Sequence, residues 1–254
     1  MPFLAAAFNA HLTGSVFLYA PFVSTSRAGC VPPEVELIER HNQAAIDAAR
    51  ERFAAASTRA GIKADLLTLS ASLISAGDQF GQIARRFDLA VVGQAEQETN
   101  AVEENIIEAA LFDSGRPLIV IPYIQKEPLK LDDVMVCWDG GRAAARAIRD
   151  AIPFLRRAGP IEVIIVSNER GKQDQIERAD IGAHLARHGL NVAVKRMPVG
   201  DVDVASMLLS HVADEGVDFI VMGGYGHSRL REFVLGGVTR SMLHTMTVPV
   251  LMSH

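Results

Sequence analysis

The sequence predicts an α/β protein made of two tandem copies of one unit, each a parallel sheet covered by helices. Three observations carry this. Arg86–Gly93 (RFDLAVVG) resembles Gly216–Gly223 (GVDFIVMG) at an offset of 130, with Asp88 matching Asp218 and Gly93 matching Gly223. Each segment is followed by a helical stretch, then by a proline and a short apolar strand, Pro117–Pro122 or Pro249–Met252. Such self-similarity marks an internal repeat. Finally, short β-branched runs alternate with stretches of helical period, the pattern of strands joined by helical crossovers.

The first half is expected to run as follows. Ser15–Ala20 is a strand. A long helix starts near Pro33, a residue suited to a first helical position. Val35, Ile38, Ala45, Ala49, Phe53, Ala56 and Ala60 recur at helical spacing and mark its inward stripe, and Gly61 ends it. Ala64–Leu69 is a strand, and Gly77–Phe87 a helix with Phe80, Ile83, Ala84 and Phe87 inward. Leu89–Val92 is the next strand. The polar, proline-containing stretch Gln125–Asp133 (QKEPLKLDD) is the join.

The second half is expected to begin with a buried strand, Val134–Trp138, that ends at Asp139-Gly140-Gly141. A helix, Ala143–Arg157, leads to Ile161–Val166, whose near-continuous apolar character suits a strand covered on both faces. Lys172–His188 is a helix stopped at Gly189. Val192–Met197 is a strand, and Asp203–Ala213 a helix with Ala205, Leu208, Leu209 and Val212 on one face. Strand Phe219–Met222, helix Leu230–Leu243 and strand Val250–Met252 complete the unit. This order argues for right-handed parallel crossovers. Aligning Ser15–Ala20 on Glu162–Ser167 puts the counterpart of Asp139 at about −8 (139 minus 147), so the first half lacks a visible first strand. Two expectations follow: a true start upstream of Met1, or a first half rearranged around the gap.

Composition narrows the function. The chain is 49% hydrophobic and 22% charged, which excludes a disordered chain. A net charge of −5 argues against a nucleic-acid binder. Cys30 and Cys137 make no disulfide framework, so a reducing, cytoplasmic setting is expected. No apolar run is long and unbroken enough to span a membrane.

The informative motif is Met222–Thr239 (MGGYGHSRLREFVLGGVT), where Gly223, Gly226 and Gly236 follow a buried strand and lead into a helix. Glycines permit close backbone approach, and amides at a helix start bind anions. The motif reads as a phosphate loop; the alternative is a connection whose glycines only form turns. It has no P-loop lysine and does not follow the dinucleotide-turn spacing.

The pattern Gly-x2-Gly-x9-Gly after a fourth strand, with an Asp-Gly turn after the first, resembles the universal stress protein family. The likeness covers 133–254 and, more faintly, 10–125. It implies two fused Rossmann-like, adenine nucleotide alpha hydrolase-like domains, 1–125 and 131–254, with strand order 3-2-1-4-5. It also implies adenine nucleotide at the carboxyl edge between strands 1 and 4, where the order reverses. Carried over residue by residue, Asp139 and Val166 would hold the adenosine. Met222 and Gly223 would flank it, and Gly226, Gly236, Gly237 and Val238 would hold the phosphates. The family's Ser/Thr after the last glycine is Gly237 here. Loss of its hydroxyl removes a hydrogen bond worth about 1.5–3 kcal/mol, so ATP or ADP, with or without Mg²⁺, is expected to bind weakly. His227, Arg229 and Arg231 are candidate cations near the phosphates, or simply a solvated loop. In the first half Glu96 and Ile106 replace the glycines, and Glu96, Glu98, Glu103 and Glu104 repel phosphate, so the second domain alone should bind. No dedicated base is evident, and slow ATP hydrolysis is the most expected of it as an enzyme. The second expectation is a structural or interaction protein of the same fold that binds no nucleotide.

The remaining candidates are weaker. His184 and His188 share a helix face but have no third ligand in view. His211 and His244 read as helix-side residues, and Cys137 as a core residue. The resemblance further implies that Ile119–Ile121 and Val250–Met252 dock the two halves together. A homodimer of the whole chain is left open.

Overall fold

The computed structural model describes residues 2–19, 33–95, 101–167, 181–198, 203–224 and 237–254. Two compact units divide within one helix, between Gln79 and Phe80. The repeat puts its join at 125–133 instead, and the sheet pairing below accounts for the difference.

The first unit holds α1 (Pro2–Ala7), β1 (Leu12–Tyr19), α2 (Pro33–Arg59) and β2 (Ala64–Ala71), and α3 (Ala76–Ala84) begins in it. Strands β1 and β2 pair in parallel over their full length, from Leu12 opposite Ala64 to Tyr19 opposite Ala71. The crossover helix α2 sets Phe53 on β1 at Gly14, where a Cβ would lie 2.8 Å from the Phe53 ring. Asn42 Nδ2 donates to Tyr19 O (3.0 Å) and Arg50 Nη2 to Thr68 Oγ1 (2.8 Å).

The stripe expected on α2 needs correction. Ile38 and Ala45 are exposed, Phe53, Ala49, Ala56 and Ala60 only half-buried, and Ile46 is the buried apolar residue among the described side chains, which do not include Val35. A two-stranded sheet is too narrow to cover a helix of 27 residues along its length, so the stripe is only partly sequestered.

The second unit contains β3 (Ala90–Gly93), α4 (Ala101–Phe112), β4 (Leu118–Ile121), β5 (Val134–Trp138), α5 (Arg142–Leu155), β6 (Ile161–Ser167), α6 (Ile181–Arg187), β7 (Val192–Pro198), α7 (Val204–Glu215), β8 (Phe219–Gly223), α8 (Gly237–Thr245) and β9 (Val250–Ser253). Its seven strands are ordered β3-β4-β9-β8-β5-β6-β7. Strands β5 to β9 are mutually parallel wherever they pair, and in this half's own numbering they read 3-2-1-4-5 from β7 to β9. Strand β9 then meets β4 in antiparallel register, with Ile119 opposite Leu251 and Val120 opposite Val250, and β4 carries β3 parallel to itself. The last two strands of the first half of the chain therefore extend the sheet of the second half. That is why compactness divides the chain earlier than the repeat does.

Side-chain alternation makes two cores on this sheet. Met135, Ile164, Ile220, Met222, Val250, Met252, Leu118 and Val120 form one face, covered by Ile107, Ala110 and Leu111 of α4, Ala205, Leu208 and Val212 of α7, and Met242 of α8. The other face takes α5, whose Phe154 ring stacks on Phe219 at 5.8 Å. Helix α7 is capped at both ends as its sequence suggests. Asp203 accepts from Ser206 N (3.0 Å), and Gly216 closes it at φ 73°, a left-handed value that favours glycine.

Candidate functional site

The register of three adjacent strands builds the site. Trp138, the last residue of β5, lies opposite Ile165 of β6, so Val166 is level with Asp139. On the other side Val136 lies opposite Val221 of β8, so Met222 and Gly223 come level with Cys137 and Trp138. Asp139, Val166, Met222 and Gly223, far apart in sequence, thus meet on one carboxyl edge. On one side of the edge, Met222 belongs to the buried core, against which Val166, Cys137 and Val238 also pack. The chain order reverses between β5 and β8, which opens a crevice at that point in sheets of this kind.

Local sequence explains the shape. Asp139 is exposed, and its Oδ1 accepts a hydrogen bond from Gly141 N (2.8 Å), tightening the turn into α5. Gly140 takes φ 76° within that turn. Gly141 is the N-cap of α5 and supplies no side-chain cap, so the first amides of α5 are left for other acceptors. Gly223 sits directly under them: a Cβ there would come within 2.5 Å of Ala144 N and 2.8 Å of Ala143 C. Only a residue without a side chain allows β8 and the start of α5 to approach this closely.

Helix α8 begins at Gly237, which is exposed, followed by half-buried Val238 and buried Thr239. Burial of Thr239 on the core side of α8 argues against its hydroxyl replacing the one absent at Gly237. Gly226 and Gly236, with His227, Arg229 and Arg231, lie outside the described residues, as do Glu96 and Glu98.

Several polar contacts were not legible in the sequence. Glu162, inside an apolar run, meets buried His211 of α7 through Oε2 and Nε2, while Lys195 Nζ lies 3.3 Å from Glu162 and 3.1 Å from Glu215. Burial alone would raise the Glu162 pKa, but hydrogen bonds from His211 and Lys195 outweigh it and hold the carboxyl below its usual range. Glu162 lies four residues before Val166 on one strand, about 13 Å away, so this network supports the sheet and not the carboxyl edge. Asp218 Oδ2 accepts from Asp132 N (3.0 Å), and Asp218 N donates to Asp133 O (3.0 Å), tying the join to the start of β8. Burial raises the Asp218 pKa despite these bonds, with Asp132 and Asp133 adding to the rise. Gln94, just past β3, is buried and donates to Leu243 O (2.9 Å) while its Oε1 accepts from Tyr123 N (3.2 Å). The Arg146–Asp150 pair has helical i,i+4 spacing, which is legible in the sequence. Asp150 Oδ2 also accepts from Ser253 Oγ (2.9 Å), fastening α5 to β9.

Cys137 is half-buried, and desolvation of its sulfur, with the nearby Asp139 carboxylate, pushes the thiol up to about 12. It is no nucleophile at neutral pH. The His184 and His188 rings sit edge to face at 4.9 Å. Among the described residues no group of three or more His, Cys, Asp or Glu could hold a metal ion, and no helix is long and apolar enough to cross a membrane.

Residues 130–254 match the model of the universal stress protein family. A universal stress protein of Synechocystis is 24% identical over 171 residues, covering 65% of this chain and 57% of that protein. Another, from Methanocaldococcus jannaschii, is 47% identical over 38 residues, covering 15% of this chain and 24% of its own length. The chain thus spans less than two thirds of each of these relatives. Among solved structures, a universal stress protein of Archaeoglobus fulgidus superposes with a TM-score of 0.70 at 15% identity, covering 98% of this chain and 89% of that one. One described as a putative universal stress protein, from Pseudomonas aeruginosa, gives 0.60 at 13%, with 98% and 84% covered. At such identities the likeness concerns the fold.

Proposed function

We propose, on the match of residues 130–254 to the universal stress protein family, that the chain is a nucleotide-responsive stress module binding ATP or ADP weakly in its second copy alone. The observation that carries this reading is the meeting of Asp139, Val166, Met222 and Gly223 on one strand edge, beside the uncapped start of α5. Adenosine lies along that edge, with Asp139 accepting from a ribose hydroxyl. Gly226, Gly236, Gly237 and Val238 supply the phosphate amides, with Mg²⁺ as a companion of the phosphates. A helix start at Gly237 offers main-chain donors, and its missing hydroxyl makes the affinity low.

The first copy carries Glu103 and Glu104 in the first turn of α4, the place corresponding to a phosphate cradle. Negative charge at a helix start satisfies its dipole from within and repels a phosphate. We read the copies as domains 1–125 and 131–254, working in the cytoplasm. Any ATP hydrolysis would be slow, because among the described residues no group near Asp139 is poised as a base.

Isothermal titration with ATP, ADP and AMP, with and without Mg²⁺, tests the reading. The sharper arm is Gly237→Ser. Restoring a hydrogen bond worth about 1.5–3 kcal/mol should tighten binding roughly ten- to a hundredfold, and Asp139→Ala should weaken it. Absence of heat at millimolar nucleotide for both wild type and Gly237→Ser sinks the nucleotide claim and leaves the fold untouched. In that event the second reading stands, an interaction protein of the same fold; the absent hydroxyl at Gly237 is what favours it.

A further inference from the structure

Gln94 and Gly224 correspond at the 130-residue offset and directly follow β3 and β8. Each donates its backbone N–H to the neighbouring strand, Gln94 N to Ile121 O (2.7 Å) and Gly224 N to Ser253 O (2.9 Å). Each is also met by a helix from the other half of the chain. Leu111 of α4 packs on Gly224, where a Cβ would lie 2.7 Å from its Cδ2. Helix α8 meets the Gln94 side chain, whose Nε2 donates to Leu243 O (2.9 Å). The two halves thus clasp each other beside the antiparallel pairing of β4 with β9, and all of these residues lie in the second compact unit.

The clasp touches the backbone read above as the nucleotide cradle in two places. Gly224 directly follows Gly223, and its carbonyl accepts from His254 Nδ1 (3.1 Å), whose ring stands edge to face with Phe112 of α4 at 4.8 Å. Helix α8 starts at Gly237, and Gln94 holds it at Leu243, six residues and about 9 Å further along the axis. So short a helix shifts as a rod, so movement at Leu243 O is carried to the amides of Gly237 and Val238. Further ties act in the same sense. Ala95 and Ile107 share one core with Met242, against which Val238 and Leu243 pack. Glu104 Oε1 lies 3.6 Å from His244 Nε2 in the last turn of α8. Gln94 itself is only 4% exposed. Burying an amide is costly unless its groups are paired, and here Tyr123 N completes the pairing by donating to Oε1 (3.2 Å). An apolar side chain would fill the same space without fixing α8 in one position.

Resting on the nucleotide reading above, we propose that Gln94 and Leu111 of the first half are positioning residues for the phosphate-binding backbone of the second, so that affinity for phosphate is set from outside the half that binds it. Neither residue touches the ligand; Leu111 acts through Gly224, and Gln94 through α8. The adenosine end is fixed by other means, since pairing of β5 with β6 brings Asp139 level with Val166. Loosening the clasp therefore costs affinity for the phosphates and spares that for the nucleoside.

The test places Gln94→Met, similar in length but without a donor, in the full chain carrying Gly237→Ser, whose tighter nucleotide keeps a loss measurable. Isothermal titration should show ATP weakened about tenfold or more and adenosine within about twofold of the parent, a split that general destabilisation does not produce. Amide hydrogen exchange at Ser241 and Met242, which close the first turn of α8, should quicken while Ile161–Ser167 stays unchanged. Should Gln94→Met unfold, His254→Ala frees Gly224 O by removing an exposed side chain, and should show the same split between ATP and adenosine. Equal losses for ATP and adenosine overturn the proposal, as does faster exchange confined to Leu243–Thr245. A parent chain that binds no ATP ends the nucleotide reading; unchanged exchange at Ser241 and Met242 ends the positioning claim separately.

Discussion

Replacing Gly223 and Gly93, one at a time, by alanine should have opposite consequences although the two are counterparts in the repeat. At Gly223 the new methyl would lie 2.5 Å from Ala144 N, 2.8 Å from Ala143 C and 3.0 Å from Ala143 Cβ. Carbon contacts rest near 3.5–4.0 Å, so β8 and the first turn of α5 must part by roughly 1 Å. The obstacle is backbone, and no rotamer relieves it. Overpacking of this kind costs about 1–3 kcal/mol, which for a unit of this size lowers the melting temperature by about 2–12 °C. At Gly93 the methyl meets nothing within 4 Å among the described residues and φ is not positive. Alanine there should be neutral, or stabilising by up to about 1 kcal/mol through the unfolded chain. Trp138, the sole tryptophan, stands at the end of β5 level with Gly223, so its fluorescence during thermal unfolding reports on the affected corner. A Gly93→Ala loss equal to that of Gly223→Ala would refute the open surroundings of Gly93 among the described residues. An undisturbed melt for Gly223→Ala would refute the close packing itself.

Three further outcomes are expected. The folded Glu162 pKa lies below its unfolded value, so its contribution is fully present above the usual carboxylate range and lost as pH falls through that range toward the folded value; stability measured by urea unfolding should fall more steeply between about pH 5 and 3 in wild type than in His211→Ala, and equal slopes would dismiss the pair. Leu251 is fully buried in β9 opposite Ile119, so Leu251→Ala should cost about 2–5 kcal/mol, and loss of protection in amide exchange should spread to β4 as well as β9. With its thiol pushed up to about 12, Cys137 in a Cys30→Ser background should resist a thiol-specific disulfide reagent at pH 8 until denaturant is added; rapid modification of the native chain would contradict that environment.

Local pattern carried most of the element assignments. Strand Val134–Trp138 coincides with β5, and a helix beginning at Pro33 coincides with α2, because strand and helix periods and the flanking glycine and proline are local properties. Pattern failed where burial depends on the width of what lies opposite, as with Ile38 and Ala45 on α2. It failed again where one charged residue sits in an apolar run. Glu162 looks out of place until His211, on a helix 49 residues later, supplies a partner.

The sequence by itself determined the alternation of strands and helices, the likeness of 86–93 to 216–223, and the residues proposed to meet a nucleotide. Their glycines, the Asp-Gly turn and the apolar runs are all local in the chain. Tertiary structure alone decided which of them meet. Asp139, Val166, Met222 and Gly223 converge only because β6, β5 and β8 are neighbours. The compact unit takes in β3 and β4 only because β4 pairs antiparallel with β9. Strand pairing satisfies backbone groups distant in sequence, and every residue's backbone carries much the same donor and acceptor, so local pattern shows that a strand exists but not which strand lies beside it.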